Sequence, residues 1–211
     1  MSTPPKRRYE SGQRGQSAEA TKARILNAAR TLFDRHGIDK VTIAQIAEKA
    51  RVAGSTIYAL YKSKEGLLRA LMRAALFGPH FQAAQAQLAG ISDPVRLIAL
   101  TANVARVFYE SESAELGLMR SASAFSPALR KPEQEFEKIR FDMQEERMKL
   151  LFASKKAKPG IDYASARRLL WMYTSRDIYR MLVHESGWTP DQYQAWLSET
   201  LVATLVNSKS R

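Results

Sequence analysis

From residue 17 onward, apolar side chains recur every three or four positions with polar ones between them, a spacing that predicts an all-α fold. Ile25, Leu26, Ala29, Leu32 and Phe33 form one stripe of a first helix, with Ser17 as its N-cap, Glu19 in its first turn and Gly37 as its stop. Thr42 and Gln45 stand at capping-box spacing ahead of a second helix that carries Ile46, Ala47 and Ala50 on one face. Such a helix is too short to persist alone and must pack on its neighbours. After a break at Arg51 and Val52, a third short helix is expected over 54–60, and Ser63 then caps a longer fourth one carrying Leu67, Leu68, Leu71, Met72 and Ala75. Three helices, two of them short and joined by tight turns, make a helix-turn-helix unit.

Gly78-Pro79 should bend or interrupt the fourth helix, because proline removes a backbone donor and crowds the preceding turn. Further helices are expected over 94–111, 115–124, 132–154, 163–186 and 190–206. Pro94, Pro132 and Pro190 fall at three of the starts, where a missing N–H costs nothing. Strand-like alternation is scarce, and Asn-Gly and Asp-Gly hairpin turns are absent from the sequence. The pattern divides the chain into a disordered basic arm over 1–16, a helix-turn-helix domain over 17–63 and a second helical domain over 64–211.

Charge sharpens that division. The formal net charge is +12, with 15 lysines and arginines against 6 acidic residues up to Leu76 and 18 against 15 beyond it. A basic first third joined to a nearly balanced remainder is the electrostatic footprint of a nucleic-acid reader with a separate effector or assembly domain; ordinary solubilising charge is the alternative. The absence of cysteine excludes a disulfide framework and thiolate metal sites. The N-terminus has no signal-peptide pattern and no apolar run reaches bilayer length, so a soluble cytoplasmic protein without membrane association is expected. His36, His80 and His184 have no Cys or carboxylate companions at metal spacing, and nucleophile-elbow, P-loop and dinucleotide glycine patterns are missing. Neither enzyme activity nor a cofactor is expected.

The third helix supplies the materials of a DNA contact. Ser55 and Thr56 are small and polar, and Gly54 allows close backbone approach. Tyr58 and Tyr61 can donate hydroxyls to phosphates, while Lys62 and Lys64 are cations beside a helix N-terminus. Bidentate Arg-guanine or Asn-adenine readers are lacking on this helix, so specificity would rest on Gln45, on thymine methyls against Ala59 or Ala53, and on DNA shape. Lys6, Arg7, Arg8 and Arg14 form a basic arm that can follow phosphates or a minor groove, or remain a solvated tail.

The stretch from Arg24 to Leu68 resembles the DNA-binding domain of the TetR/AcrR family of bacterial regulators. The likeness rests on Ile25-Leu26, Ala28-Ala29, Leu32-Phe33, Gly37, Thr42-Ile43, Ile46-Ala47, Ser55-Thr56-Ile57-Tyr58, Ser63-Lys64-Glu65 and Leu67-Leu68. The resemblance implies a homodimer formed by the last two helices, binding double-stranded operator DNA through the first three and linked by the fourth to a variable ligand domain. It also implies DNA contacts from Thr42, Ala44, Gln45, Gly54, Ser55, Tyr58 and Lys64. Two residues depart from the pattern. Arg51 stands where the family has glycine, at a helix end where a left-handed backbone would cost about 1 kcal/mol, so a differently shaped turn is expected there. Ala53 stands where a serine often caps the recognition helix.

Between Leu169 and Val183 apolar residues lie all round the helix, and Tyr193, Trp196, Leu197, Leu201, Val202 and Leu205 continue the theme. A symmetric dimer would cover both faces; a purely intramolecular core is the alternative. Phe77, Phe81, Phe108, Met119, Phe125, Phe141, Met148, Trp171 and Tyr173 are candidates for an apolar or aromatic effector cavity, with Arg176, Asp177 or His184 as polar anchors, although such residues at helical spacing also build ordinary cores. The expected function is a repressor released from its operator by a small effector through the Gly78-Pro79 bend; the rival is a DNA-binding protein without a ligand, acting architecturally or through a protein partner. The clustered glutamates and lysines from Lys131 to Lys149 read as a solvated helix face, not a binding patch.

Overall fold

The computed structural model describes residues 10–110 and 127–207, and among them the chain is helical with short connections and no strand. It divides into two compact units, 1–72 and 73–211, so the boundary falls nine residues beyond the predicted one, within a helix. The expected helix over 115–124, with Met119 and Phe125, lies outside the described residues.

In the first unit, α1 (Glu10–His36) begins earlier than the apolar stripe announces. Residues 10–16, expected in a disordered arm, are helical, and Ser17 lies inside the helix, its carbonyl accepting from the Thr21 hydroxyl at 2.8 Å. Straight-chain residues such as Gln13, Arg14 and Gln16 continue a helix at little entropic cost without supplying a hydrophobic signal. The helix stops at Gly37, whose φ of +77° ends the regular turn. Helices α2 (Ile43–Ala50), α3 (Gly54–Tyr61) and α4 (Lys64–Leu76) follow. Ile25, Ala29 and Phe33 of α1 are buried, as are Ile46, Ala47 and Ala50 of α2, Ile57 of α3 and Leu67, Leu68 and Met72 of α4. Each large member of this set stabilises the unit by roughly 2 kcal/mol.

The turns are fixed by local geometry. Thr42 and Gln45 form the expected capping box: the Gln45 amide donates to Thr42 Oγ1 at 3.3 Å, and the Thr42 amide donates to Gln45 Oε1 at 2.8 Å. Arg51 takes the left-handed conformation, with φ 54° and ψ 52°, and its N–H caps the end of α2. The turn thus keeps the shape that glycine would favour, correcting the expectation of a different one, and carries the strain of a side chain there. Between α3 and α4, a Cβ at Gly66 would sit 1.9 Å from the Tyr61 carbonyl oxygen, so only glycine fits without moving backbone.

In the second unit, Gly78-Pro79 interrupts the helix as expected, and a separate α5 (Pro79–Ala86) begins at the proline. It is followed by α6 (Pro94–Glu110), α7 (Pro127–Met143), α8 (Glu145–Ala153), α9 (Tyr163–Tyr173), the short α10 (Arg176–Tyr179) running into a π-helical segment over Arg180–Glu185, and α11 (Pro190–Leu205). Helix α6 packs most extensively on α11. Ile98, Ala102, Tyr193, Leu197, Leu201 and Leu205 are buried, and the Arg106 guanidinium reaches Asp191 and Gln194.

Two long predicted helices are divided. The one expected over 132–154 starts at Pro127, holds Pro132 in its interior and breaks at Gln144. The one expected over 163–186 breaks at Thr174, whose hydroxyl donates back to the Leu170 carbonyl at 2.7 Å. Ser175 then caps a new start. Carbonyls left without helical donors find others: Thr174 O accepts from Tyr109 Oη at 2.9 Å, and Trp171 O from Arg140 Nη1 at 2.7 Å.

Gly66→Ala should lower the stability of the helix-turn-helix unit by about 2 kcal/mol or more, whereas Arg51→Gly should raise it by up to about 1 kcal/mol. Urea unfolding followed by helical circular dichroism measures both.

Candidate nucleic-acid interface and effector cavity

Burying the apolar faces of α2 and α3 leaves their other faces outward. Thr42, Ala44 and Gln45 are exposed at the start of α2, as are Ser55, Tyr58, Ala59 and Lys62 along α3. Tyr58 is 54% exposed although it is aromatic. Gln45 Oε1 is held in the capping box, which leaves its NH2 group as the outward donor. Ala53 has the extended backbone of an N-cap but makes no side-chain cap bond, so the first amides of α3 lack the partner that a serine would provide. Gly54 has no positive φ, and outside its chain neighbours and its own helix backbone no atom lies within 4 Å of where a Cβ would be. Nothing within the protein requires glycine there.

The remaining predicted contacts are placed differently. Thr56 is half-buried. Tyr61 is also half-buried, its phenol pushed up by burial and lying in the field of Lys22 and Glu19 on α1. Lys64, expected to face phosphate, turns its ammonium inward to the Ile38, Val41 and Asp39 carbonyls at 2.7, 3.1 and 3.5 Å. It ties α4 to the α1–α2 connection.

In the second unit a cavity of about 40 Å³ lies among α5, α6, α7, the α7–α8 turn, α8 and Thr174. Phe77, Phe81 and Phe108 line it, with ring centroids 5.2 to 5.5 Å apart. Phe141, Trp171 and Tyr173 do not: Phe141 packs on Trp171 beneath Arg167, and Tyr173 packs on Trp196. Met148 is fully buried, and neither it nor Arg176, Asp177 or His184 lines the cavity.

Polar lining comes from the same segment whose glutamates and lysines read as a solvated face. Arg140, Gln144 and Arg147 are buried and continue the stripe that runs from Phe136 to Leu151. That spacing, with polar residues replacing apolar ones on the inward row, was the available signal. Arg140 is paired with Glu137 at 2.6 Å. Arg147 bonds only neutral oxygens among the described residues, Gln85 Oε1 at 2.9 Å and Thr101 Oγ1 at 3.2 Å. Burial pushes its guanidinium down to about 10, which corresponds to about 3 kcal/mol against the charged form. Because its folded value lies below the unfolded one, this cost holds throughout the neutral range and is relieved only as pH rises through 10. Gln144 donates to Thr174 Oγ1 at 2.8 Å, while its buried Oε1 has no partner.

The chain thus joins a helix-turn-helix unit with an exposed polar face to a helical unit that holds a partly open cavity. Residues 25–71 match the family model of bacterial regulatory proteins, tetR family. Over 52 residues it is 44% identical to the uncharacterized HTH-type transcriptional regulator YvkB of Bacillus subtilis (strain 168), a match spanning 25% of this chain and 28% of that one. The whole fold is similar to that of NalD, the secondary repressor of the MexAB-OprM multidrug efflux pump in Pseudomonas aeruginosa, with a TM-score of 0.69, 24% identity, and coverage of 92% of this chain and 99% of NalD. It is also similar to the regulator FadR from Bacillus subtilis in complex with stearoyl-CoA, with a TM-score of 0.64, 18% identity, and coverage of 86% and 97%. Among the described residues no helix is long and apolar enough to cross a membrane, and no group of His, Asp and Glu is placed to hold a metal ion.

Ala53→Ser should stabilise the first unit by about 1 kcal/mol by restoring a cap on α3. An unchanged urea midpoint would show that these amides are already satisfied by solvent.

Proposed function

We propose that the protein is a sequence-specific DNA-binding transcriptional regulator, a homodimer that represses until a small effector releases it from a double-stranded operator. The observation that carries this reading is the exposed row of Thr42, Ala44, Gln45, Ser55 and Tyr58 on two short helices whose opposite faces are buried. Gly54 supports it, because an approaching phosphate backbone accounts for a glycine that the protein's own packing does not require. Tyr58 and Lys62 supply phosphate contacts, and the Gln45 NH2 faces base edges as a donor. Lys64 acts indirectly, by holding the connection ahead of α2.

The dimer reading is supported by Met172 and Met181, 43% and 41% exposed, together with half-buried Leu169, Tyr173, Trp196 and Val202. A second copy packed on the segments 163–185 and 190–205 would cover them in a self-complementary interface. The effector reading is supported by the cavity and by the fact that the FadR neighbour was solved with stearoyl-CoA. The cavity also weighs against a ligand-free architectural role. Helix α4, continuous from Lys64 to Leu76, is the covalent route by which a shift of Phe77 and Phe81 would reach the recognition helices. No chemical transformation and no cofactor belong to this reading, and the expected compartment is the cytoplasm.

Binding to genomic fragments, including DNA upstream of its own gene, across a salt series tests the proposal. Sequence-selective binding is expected to weaken steeply with salt. Lys62→Gln should reduce the slope of log K against log salt by about 1, and Tyr58→Phe should weaken binding to all fragments alike. Equal, weak binding to every fragment would contradict a sequence-specific regulator.

A further inference from the structure

The second unit contains a positive charge that no described side chain neutralises. Arg147 is 7% exposed, and both of its described partners, Gln85 and Thr101, are neutral. The other buried arginine on the same helical row, Arg140, has Glu137. A buried guanidinium without an anion is an expensive group to retain unless something supplies the anion. One residue away along the inward row, Gln144 lines the same cavity and is only 6% exposed, and its buried Oε1 has no donor. The cluster of Phe77, Phe81 and Phe108 lines the same cavity. The cavity therefore lacks a negative charge, a hydrogen-bond donor and an apolar body between them.

From these groups we infer that the effector is a small aromatic or cyclic carboxylate bearing a hydroxyl or N–H donor, its carboxylate paired with Arg147 and its donor bonded to Gln144 Oε1. The inference rests on the reading above that residues 73–211 hold an effector. A carboxylate suits the site better than a phosphate, because one unpaired guanidinium matches one negative charge and its forked N–H groups match two carboxylate oxygens. The space of about 40 Å³ holds about three waters at 10–15 Å³ each, less than the roughly 150 Å³ of an apolar cavity that takes up benzene, so a ring enters only as the Phe77, Phe81 and Phe108 side chains move apart. An adjacent anion would also offset the burial that pushes the Arg147 guanidinium down.

The test uses the full chain with four probes of nearly one shape: para-hydroxybenzoate, benzoate, para-hydroxybenzamide and tyramine. Calorimetry and thermal shift are read without DNA. Both acids should bind and raise Tm, the hydroxy acid more tightly, while the neutral amide and the cation should not. Arg147→Met should raise the Tm of the empty protein and weaken acid binding by at least about tenfold, the scale of a charged hydrogen bond. Gln144→Leu should keep acid binding and lose the preference for the hydroxy acid. Absence of acid binding, equal binding of the amide, undiminished acid binding by Arg147→Met, or a lower Tm for empty Arg147→Met would each overturn the proposal. Operator binding is measured separately. DNA binding without acid binding overturns the ligand site alone, whereas acid binding without DNA release supports the site and counts against its coupling to the operator.

Discussion

Eight-residue helices do not persist in water, because the entropy of nucleation exceeds what so few backbone bonds return. The first unit of this protein is organised around that constraint. Helices α2 and α3 exist because Ile46, Ala47, Ala50 and Ile57 are buried with the apolar stripes of α1 and α4. Burial in turn fixes which residues remain outside, and these are the small, polar and hydroxyl-bearing side chains suited to nucleic acid. Lys64 serves the same constraint, since its ammonium draws three carbonyls of the α1–α2 connection together. Recognition and stability are thus two consequences of one packing arrangement.

The second unit solves a different problem, that of broken helices. Breaks at Gln144 and Thr174 release backbone groups in a buried region, and Arg140, Tyr109 and Gln144 supply polar partners there. The same polar row reaches Arg147 and the aromatic wall, so the groups that repair the backbone adjoin the groups left incompletely satisfied. This adjacency gives a ligand a way to influence helix packing, because any molecule that engages Gln144 or Arg147 touches the network that holds Thr174.

Features that depend on neighbours in sequence were legible from the chain. The Thr42–Gln45 capping box, the stop at Gly37, the interruption at Pro79 and the uncapped start at Ala53 need only local geometry, and all are found. Features that depend on distant partners were not. Thr174 ends a helix because Tyr109 and Arg140 satisfy the carbonyls it releases, and neither is near it in sequence. Phe141, Trp171 and Tyr173 are cavity candidates by side-chain type, yet they pack elsewhere, while Arg140, Gln144 and Arg147, which do line the cavity, lie among glutamates and lysines that read as a solvated face. The early start of α1 carried no apolar stripe at all.

The central claim is that the outward face of α2 and α3 reads operator DNA. Backbone hydrogen–deuterium exchange of the full chain, with and without a selected genomic fragment, tests it most directly. Protection concentrated over residues 42–62, absent with a scrambled fragment of equal length and salt, is the predicted result. Unchanged exchange over 42–62, with protection elsewhere on the chain, would contradict it.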